Sequence, residues 1–300
     1  MTKAVEYPAM IRILFYILLF GYQTLQLCYA NTSDAKNVFV SIIPQKFFVE
    51  RIGGRHVNVS VMVGTGQSPE TYEPSPSQMA LLSESQLYFR ISVPFENIWI
   101  DVIKELNTNL KLIECCAELV NIISEGHHHD VDHHIGKENE KDPHVWTSPE
   151  NAKIIALIIK NALVASMPRY KSEFEDNYIR LIKDLNKLDK DIKSRLGQLN
   201  NRYMIVTHPS WGYFAEAYNL TQLPIELDGK EVRAKSLAKL IEFARSKNIN
   251  RIFTQKQFND NAAKIIAREI NAKLIELNPL AEDYITNLYY VTDAIVGSEN

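Results

Sequence analysis

The chain has 300 residues, of which 46% are hydrophobic, and a formal net charge of −3. That length and hydrophobic fraction allow one large domain or two lobes with real cores, and they exclude wholesale disorder. The slight negative charge, without a basic stripe along the sequence, argues against a nucleic-acid-binding protein.

The N-terminal segment predicts an export signal. A basic residue precedes the apolar run 13–20, which is too short to span a bilayer, and the segment ends at the small residue Ala30. We therefore expect residues 1–30 to be a signal peptide that is cleaved after Ala30, and the mature protein to be periplasmic or otherwise extracytoplasmic. The alternatives are an uncleaved membrane anchor and a lipoprotein attached through Cys28.

Cys115 and Cys116 are the cysteines that remain after such cleavage. Adjacent cysteines rarely form a disulfide with each other, because the required geometry strains the ring. We interpret them as two small apolar residues in a buried strand, so the exported protein has to rely on its core for stability.

Strand and helix patterns alternate through the first half of the chain. The continuous apolar run 38–43 predicts a strand buried on both faces. Further strands are predicted at 57–63, 87–91 and 110–113, and helices at 47–52, 79–82 and 98–106. This alternation implies a parallel α/β sheet.

A long helical region follows. Ser148-Pro149-Glu150 predicts a helix start with Ser148 as the N-cap, and Pro168 predicts a break. From Phe174 to Leu199, apolar residues recur every three or four positions, which predicts a second and longer helix with one buried stripe.

The last hundred residues alternate again. Strands are predicted at 204–206, 223–227, 251–253 and 273–275, and helices at 213–218, 237–245, 262–270 and 284–295. The sequence thus predicts an α/β fold with two Rossmann-like lobes, 31–147 and 201–300, whose parallel sheets are joined by linking helices over 148–200. In such sheets, ligands bind beyond the carboxyl ends of the strands.

The distribution of the histidines points to metal handling, because imidazole is the commonest side-chain ligand for zinc. Five of the eight histidines lie in one charged loop, 125–141, namely His127, His128, His129, His133 and His134. The loop has no hydrophobic anchor, so we expect it to be mobile and to gather metal weakly. A solvated spacer is the alternative.

Two further histidines stand beside prolines at the ends of predicted elements. Pro143 stiffens the backbone at His144, just before the linking helices, and His208 directly follows a predicted strand. Both are candidate metal ligands, and the alternatives are a turn-capping His144 and an ordinary loop His208. His56 precedes a strand far from the other candidates, and we expect it to be structural.

Acidic residues supply candidate oxygen ligands. Glu70 and Glu73 lie in a proline-containing loop after the second predicted strand, and either carboxylate is a possible zinc ligand. Glu282 and Asp283 open the final predicted helix. Acids at these places are also common without a metal, in solvated loops or at helix N-termini, where they complement the helix dipole.

Together these motifs resemble the zinc- and manganese-binding proteins of bacterial ABC metal importers, a group that includes the high-affinity zinc-uptake solute-binding proteins. The resemblance covers nearly all of residues 38–295. It rests on Pro69–Pro74, Asp142–Trp146 after a histidine-rich insertion, His208–Phe214, Gly229–Glu231 and Asn278–Leu280. It implies two α/β lobes, a long rigid linking helix and one metal ion in the cleft between the lobes.

The resemblance also implies a ligand set. His144 and His208 match the family's second and third ligands, whereas the first, normally a histidine, is replaced here by Glu70. The fourth ligand maps to Asp283, with Glu282 as the alternative. Zn²⁺ is the implied ion, because histidine-rich insertions are typical of the zinc-binding members. Mn²⁺ is possible, since manganese favours oxygen ligands such as Glu70.

The function implied is extracytoplasmic capture of Zn²⁺ and its delivery to the membrane permease of an ABC importer, by a monomer without catalytic residues. The alternatives are a manganese-binding homologue, a secreted zinc buffer or adhesin, and a zinc-dependent hydrolase. The sequence contains neither a His-Glu-x-x-His nor a Gly-x-Ser-x-Gly motif, which disfavours the hydrolase.

Overall fold

The computed structural model describes residues 35–116, 119, 142–227, 230–231 and 234–297. The predicted signal peptide, 1–30, and the histidine-rich loop, 125–141, lie outside the described residues. Among the residues described, no helix is both long and apolar enough to cross a membrane.

The N-terminal lobe is built on four parallel strands in the order β2-β1-β3-β4. The strands are β1 (Lys36–Ile42), β2 (Val57–Val63), β3 (Leu87–Arg90) and β4 (Lys111–Glu114), and the helices between them are α1 (Ile43–Gly53), α2 (Pro76–Ser83) and α3 (Pro94–Leu106). The central strand β1 is buried from Val38 onward, as its continuous apolar run predicts.

All three helices of this lobe begin earlier than predicted, and each has a proline in its first turn. Pro44, Pro76 and Pro94 take these positions. A proline there loses no hydrogen bond, because the first N–H groups of a helix have no partner within it. The apolar periodicity starts only after these prolines, so it does not show the first turn.

Two linking helices follow, α4 (Pro149–Ser166) and α5 (Lys171–Leu196), with a short 3₁₀ turn at Pro168–Tyr170 between them. The predicted break at Pro168 is confirmed. Ser148 is the N-cap residue of α4, but its hydroxyl makes no capping hydrogen bond. The predicted position of the cap is therefore confirmed.

Helix α5 connects the two lobes physically as well as in sequence. It buries a stripe that includes Phe174, Leu181, Leu185, Leu188 and Ile192. Helix α5 packs against α4 and α1 and also against α9 (Tyr284–Val296), the final helix of the C-terminal lobe. The main hydrophobic core therefore continues from the first sheet through the linking helices to the second lobe.

The C-terminal lobe has a second parallel sheet in the order β10-β9-β5-β6. Its strands are β5 (Tyr203–Val206), β6 (Thr221–Pro224), β9 (Arg251–Thr254) and β10 (Lys273–Glu276), beside a small antiparallel pair, β7 (Glu226–Leu227) and β8 (Lys230–Glu231). Its helices are α6 (Gly212–Ala217), α7 (Ala234–Ser246), α8 (Asn261–Ile270) and α9 (Tyr284–Val296).

The single strand predicted at 223–227 is wrong. Strand β6 ends at Pro224. The chain bends at Ile225, whose N–H still donates to the carbonyl oxygen of Val206 at 2.8 Å. The N–H of Glu226 then donates to the carbonyl oxygen of Thr207 at 3.1 Å. The bend places Glu226 beside the end of β5.

Candidate metal centre

Glu70, His144 and His208 come together from three distant parts of the chain. One ligand atom of each lies within 4.8 Å of the other two. In the part of the chain that the structure describes, no other group of three or more His, Cys, Asp and Glu side chains is this close. The structure thus groups three of the four predicted ligands.

Glu70 is held by the loop that leaves β2. The hydroxyl of Ser68 accepts a hydrogen bond from the Glu70 N–H at 3.3 Å. The carbonyl oxygen of Pro69 accepts one from the Phe95 N–H at 3.2 Å, in the first turn of α3. The buried Tyr72 packs edge-on against the Phe95 ring, with centroids 5.3 Å apart. These contacts fix the loop on both sides of Glu70.

His144 is oriented by Asp142, two residues before it. One Asp142 carboxylate oxygen lies 2.7 Å from His144 Nδ1 and accepts the His144 backbone N–H at 2.9 Å. The Tyr213 hydroxyl donates to the Asp142 carbonyl oxygen at 2.9 Å. Because Nδ1 is used in this way, Nε2 is the nitrogen that remains for a metal ion.

His208 lies between two carboxylates at the end of β5. Its Nδ1 is 2.8 Å from Glu226 Oε1, and its Nε2 is 2.8 Å from Glu70 Oε1. The ring of Phe258 stacks on the imidazole at a centroid distance of 4.0 Å and an angle of 7°. His208 is only 3% exposed, so its surroundings, and not bulk water, control its protonation.

The pKa values of His208 and Glu70 follow from the contacts of the two side chains. Burial by itself would lower the pKa of His208, but the hydrogen bonds with Glu226 and Glu70 outweigh it and raise the pKa to about 9. Burial would likewise raise the pKa of Glu70, but the hydrogen bond with His208 and the charges of His208 and His144 together outweigh it, so this pKa is lowered. Without metal, a protonated imidazole faces an ionised carboxylate, and an incoming ion has to displace the proton.

The donor set suits zinc. Zinc binds imidazole nitrogen and carboxylate oxygen at about 2.0–2.2 Å, usually with four ligands in a tetrahedron, so neighbouring ligand atoms lie about 3.4 Å apart. The 2.8 Å contact between Glu70 and His208 therefore has to widen by only about half an ångström to admit the ion. Asp142 and Glu226 provide the carboxylates that typically orient metal-binding histidines.

Asp283 is not part of this three-residue group. It is exposed and caps α9, where its carboxylate accepts hydrogen bonds from the backbone N–H of Thr286 at 3.0 Å and from its hydroxyl at 2.7 Å. Glu282 pairs instead with Lys46, at 2.7 Å. Asp283 as the fourth ligand stays a prediction, and it would require the carboxylate to leave its cap.

The remaining candidates have local roles. His56 is buried, its Nε2 lies 2.9 Å from Glu173 Oε2, and its ring stacks on Tyr170 at 3.6 Å. These contacts are typical of a structural histidine. Glu73 is exposed. Cys115 and Cys116 are buried free thiols, as expected, but they follow β4 and do not lie in a strand, so that part of the prediction is wrong.

Sequence reasoning missed the groups that surround the ligands. Glu226 offered a weak signal, a single acid after an apolar strand, but its role depends on the bend at Ile225. Asp142 precedes His144 by two residues, which is the spacing at which an aspartate accepts a local backbone N–H. The ring of Phe258 and the side chain of Gln257, which also line the cleft, gave no sequence signal.

Two α/β lobes joined by long helices, with two histidines and a carboxylate converging between them, define a metal-binding solute-binding protein. The chain matches the family model of ZnuA, the periplasmic component A of a zinc-uptake complex, over residues 38–298. It therefore belongs to that family, and the predicted fold class and family resemblance are confirmed.

Individual relatives agree with this assignment. A crystal structure of ZnuA matches with a TM-score of 0.79 and 38% identity, covering 88% of this chain and 99% of that one. Zn(II)-bound AdcA from Streptococcus pneumoniae matches with a TM-score of 0.70 and 26% identity, over 88% of this chain and 57% of AdcA. A putative metal-binding protein of Chlamydia trachomatis is 28% identical over 275 residues, 89% of this chain and 93% of the relative.

Proposed function

We propose that this protein captures Zn²⁺ in the cleft between its lobes and delivers it to the membrane permease of an ABC importer. The observation that carries the proposal is the convergence of Glu70, His144 and His208, with a carboxylate behind each histidine. Membership of the zinc-uptake family and the likeness to Zn(II)-bound AdcA support zinc as the cargo.

The architecture supports transient binding. Glu70 comes from the N-terminal lobe, His208 from the C-terminal lobe and His144 from the segment that leads into α4. An ion bound to all three links the lobes, so its binding and release are coupled to their relative position. Such coupling is what a carrier needs in order to pass its cargo to a permease.

The location of this function is part of the proposal. We place the mature protein outside the cytoplasm as a monomer that starts after Ala30, following cleavage of residues 1–30, and the family's periplasmic role supports this placement. Attachment through Cys28 is the alternative. Mass spectrometry of the exported protein distinguishes the two, because lipidation at Cys28 would leave a heavier chain that begins three residues earlier.

Manganese is the second candidate cargo, and Glu70 is the observation that favours it. The family normally has a histidine at this place, and a carboxylate oxygen is a harder ligand that manganese prefers. The two histidine nitrogens favour zinc instead. We therefore expect zinc to be bound more tightly than manganese. The difference between the two affinities should be smaller than in a three-histidine site.

Native mass spectrometry of the mature protein in a mixture of Zn²⁺ and Mn²⁺ tests both the proposed metal site and its preference for zinc. The expected result is one tightly held zinc ion per chain. The variant His144→Ala should lose that ion, and His56→Ala is a matched control outside the cleft. A metal-free wild-type spectrum, or an ion retained by His144→Ala, would contradict the proposed site.

A further inference from the structure

Gln257, a residue that lines the cleft, carries a buried polar atom without a hydrogen-bond partner in the described part of the chain. Its side-chain oxygen Oε1 is buried, and it has no hydrogen-bond partner among the described residues. A buried carbonyl without a partner loses its hydration without compensation, so such atoms are rare in native proteins and usually have a specific explanation. Gln257 lines the same cleft as Glu70, His144 and His208.

The turn that contains Gln257 is fastened to His208 from both sides. On one side, Gln255 Nε2 donates to the His208 carbonyl oxygen at 3.1 Å and to Ser210 Oγ at 3.0 Å. On the other, the Phe258 ring stacks on the His208 imidazole. The Phe258 N–H closes the turn by donating to the Gln255 carbonyl oxygen at 3.1 Å. Gln257 is therefore held in place relative to a metal ligand.

We propose that Gln257 Oε1 is the fourth ligand of the metal ion, an inference that rests on the proposed function. Glu70, His144 and His208 provide three donors, and zinc in a closed protein site takes four. An amide oxygen is neutral, has no proton to displace and can bind either zinc or manganese. It completes the coordination without adding a second negative charge beside Glu70.

Gln257 is better prepared for this role than Asp283. The Asp283 carboxylate is exposed and already accepts two hydrogen bonds from Thr286. Binding a metal would cost these bonds and the N-cap of α9. The Gln257 oxygen has no bond to lose, and coordination would satisfy an atom that burial leaves without a partner. Metal binding would thus compensate the desolvation of this oxygen, which is uncompensated in the metal-free protein.

Substitution of Gln257 in the full-length chain tests the proposal. Zinc affinity is measured by competition with a chromophoric chelator, and coordination by X-ray absorption of the zinc-bound protein. We expect Gln257→Leu to weaken zinc binding by about 10- to 100-fold and to remove one oxygen neighbour from the zinc shell. Lys256→Ala, an exposed neighbour in the same turn, should behave like the wild type.

Metal-free stability provides a second readout. Because leucine removes the unpaired buried oxygen, metal-free Gln257→Leu should unfold at the same temperature as the metal-free wild type or at a higher one. A merely structural glutamine would give the opposite result. If the leucine variant does not fold, Gln257→Asn keeps the amide on a shorter side chain, and it should show the same loss of affinity and of the oxygen neighbour.

The outcomes separate this inference from the proposed function. Wild-type zinc affinity in Gln257→Leu, together with loss of binding in His144→Ala, would overturn the role of Gln257 and leave the cleft site in place. Wild-type affinity in His144→Ala and Glu70→Ala as well would overturn the proposed function itself. Weaker binding in Asp283→Ala, with Gln257→Leu unaffected, would assign the fourth position to Asp283.

Discussion

Glu70 Oε1 and His208 Nε2 lie 2.8 Å apart, so a carboxylate of the N-terminal lobe and an imidazole of the C-terminal lobe meet directly in the cleft. In the metal-free protein this contact is a proton-mediated ion pair. A metal ion that replaces the proton keeps the same link between the lobes. The metal-free site and the proposed metal-bound site would therefore have similar geometries. They would differ mainly in the distance between Glu70 Oε1 and His208 Nε2.

The choice between the two loop acids can be tested directly. We expect Glu70→Ala to weaken zinc binding at least about tenfold, because a ligand is lost, and Glu73→Ala to have little effect, because Glu73 is exposed. Glu70→His, which introduces the family's usual ligand, should bind zinc as tightly as the wild type or more tightly. Isothermal titration measures all three, and the reverse order for the two alanine variants would show Glu73 to be the ligand.

Zinc should raise the thermal stability of the wild type, because a ligand that binds only the folded state stabilises it by mass action. At a free zinc concentration of about 100 times Kd, the gain is about 2.7 kcal/mol. His144→Ala and His208→Ala should largely abolish the shift in unfolding temperature. Calorimetric scans with and without zinc measure it, and an unchanged shift in both variants would remove these histidines from the site.

Stability without metal should depend on pH through the pair formed by His208 and Glu70. The pKa of His208 is raised from 6.5 to about 9, so its contribution is fully present below pH 6.5 and is lost as the pH rises through about 9. The pKa of Glu70 is lowered from 4.5, so its contribution is present above pH 4.5 and is lost as the pH falls through the lowered value. Unfolding in the presence of a chelator measures this, and His208→Gln should lose the decline toward pH 9.

Above neutral pH, zinc affinity should rise with pH, whereas the metal-free stability should decline. Because zinc has to displace the proton from His208, apparent affinity should rise between pH 6.5 and about 9, and it should fall toward acidic pH. Titrations in buffers of different ionisation enthalpy would show about one proton released per zinc ion at neutral pH. Binding without proton release would show that His208 is already neutral in the metal-free protein.

The carboxylate behind His208 should matter although it does not reach the metal. Glu226→Gln removes the charge that orients the imidazole and favours its role as a ligand, and such changes typically weaken metal binding about 10- to 100-fold. Glu216→Gln, on the exposed face of α6, is the matched control. Equal affinities in the two variants would mean that Glu226 only fills space beside the ring.

The histidine-rich loop, 125–141, lies outside the described residues, and its role stays a prediction. Because Glu70, His144 and His208 form a group without it, deletion of the loop should leave the tight site nearly unchanged and remove one or more weaker sites. Calorimetric titration of the full and loop-deleted proteins measures both classes of site. Loss of the tight site on deletion would make the loop part of the primary centre.

Local patterns in the sequence were sufficient for most of the fold. Continuous apolar runs such as 38–43, apolar spacings of three and four, and the helix start at Ser148-Pro149 are properties of short segments, so they show the elements directly. The same is true of His144 and His208, which stand next to prolines at the ends of predicted elements. Where prediction and structure differ, as at 223–227, a bend at Ile225 divides a segment that the sequence pattern presents as one strand.

The tertiary structure decided which polar groups meet. The sequence determined two α/β lobes, linking helices and a list of candidate ligands, because these depend on residue type and spacing. It did not separate Glu70 from Glu73, show that Asp283 caps α9, bring Glu226 to His208, or place Gln257 in the same cleft. Those contacts join residues far apart in the chain, and they depend on how the bends after β2, β6 and β9 direct their side chains once the two sheets are packed on α5.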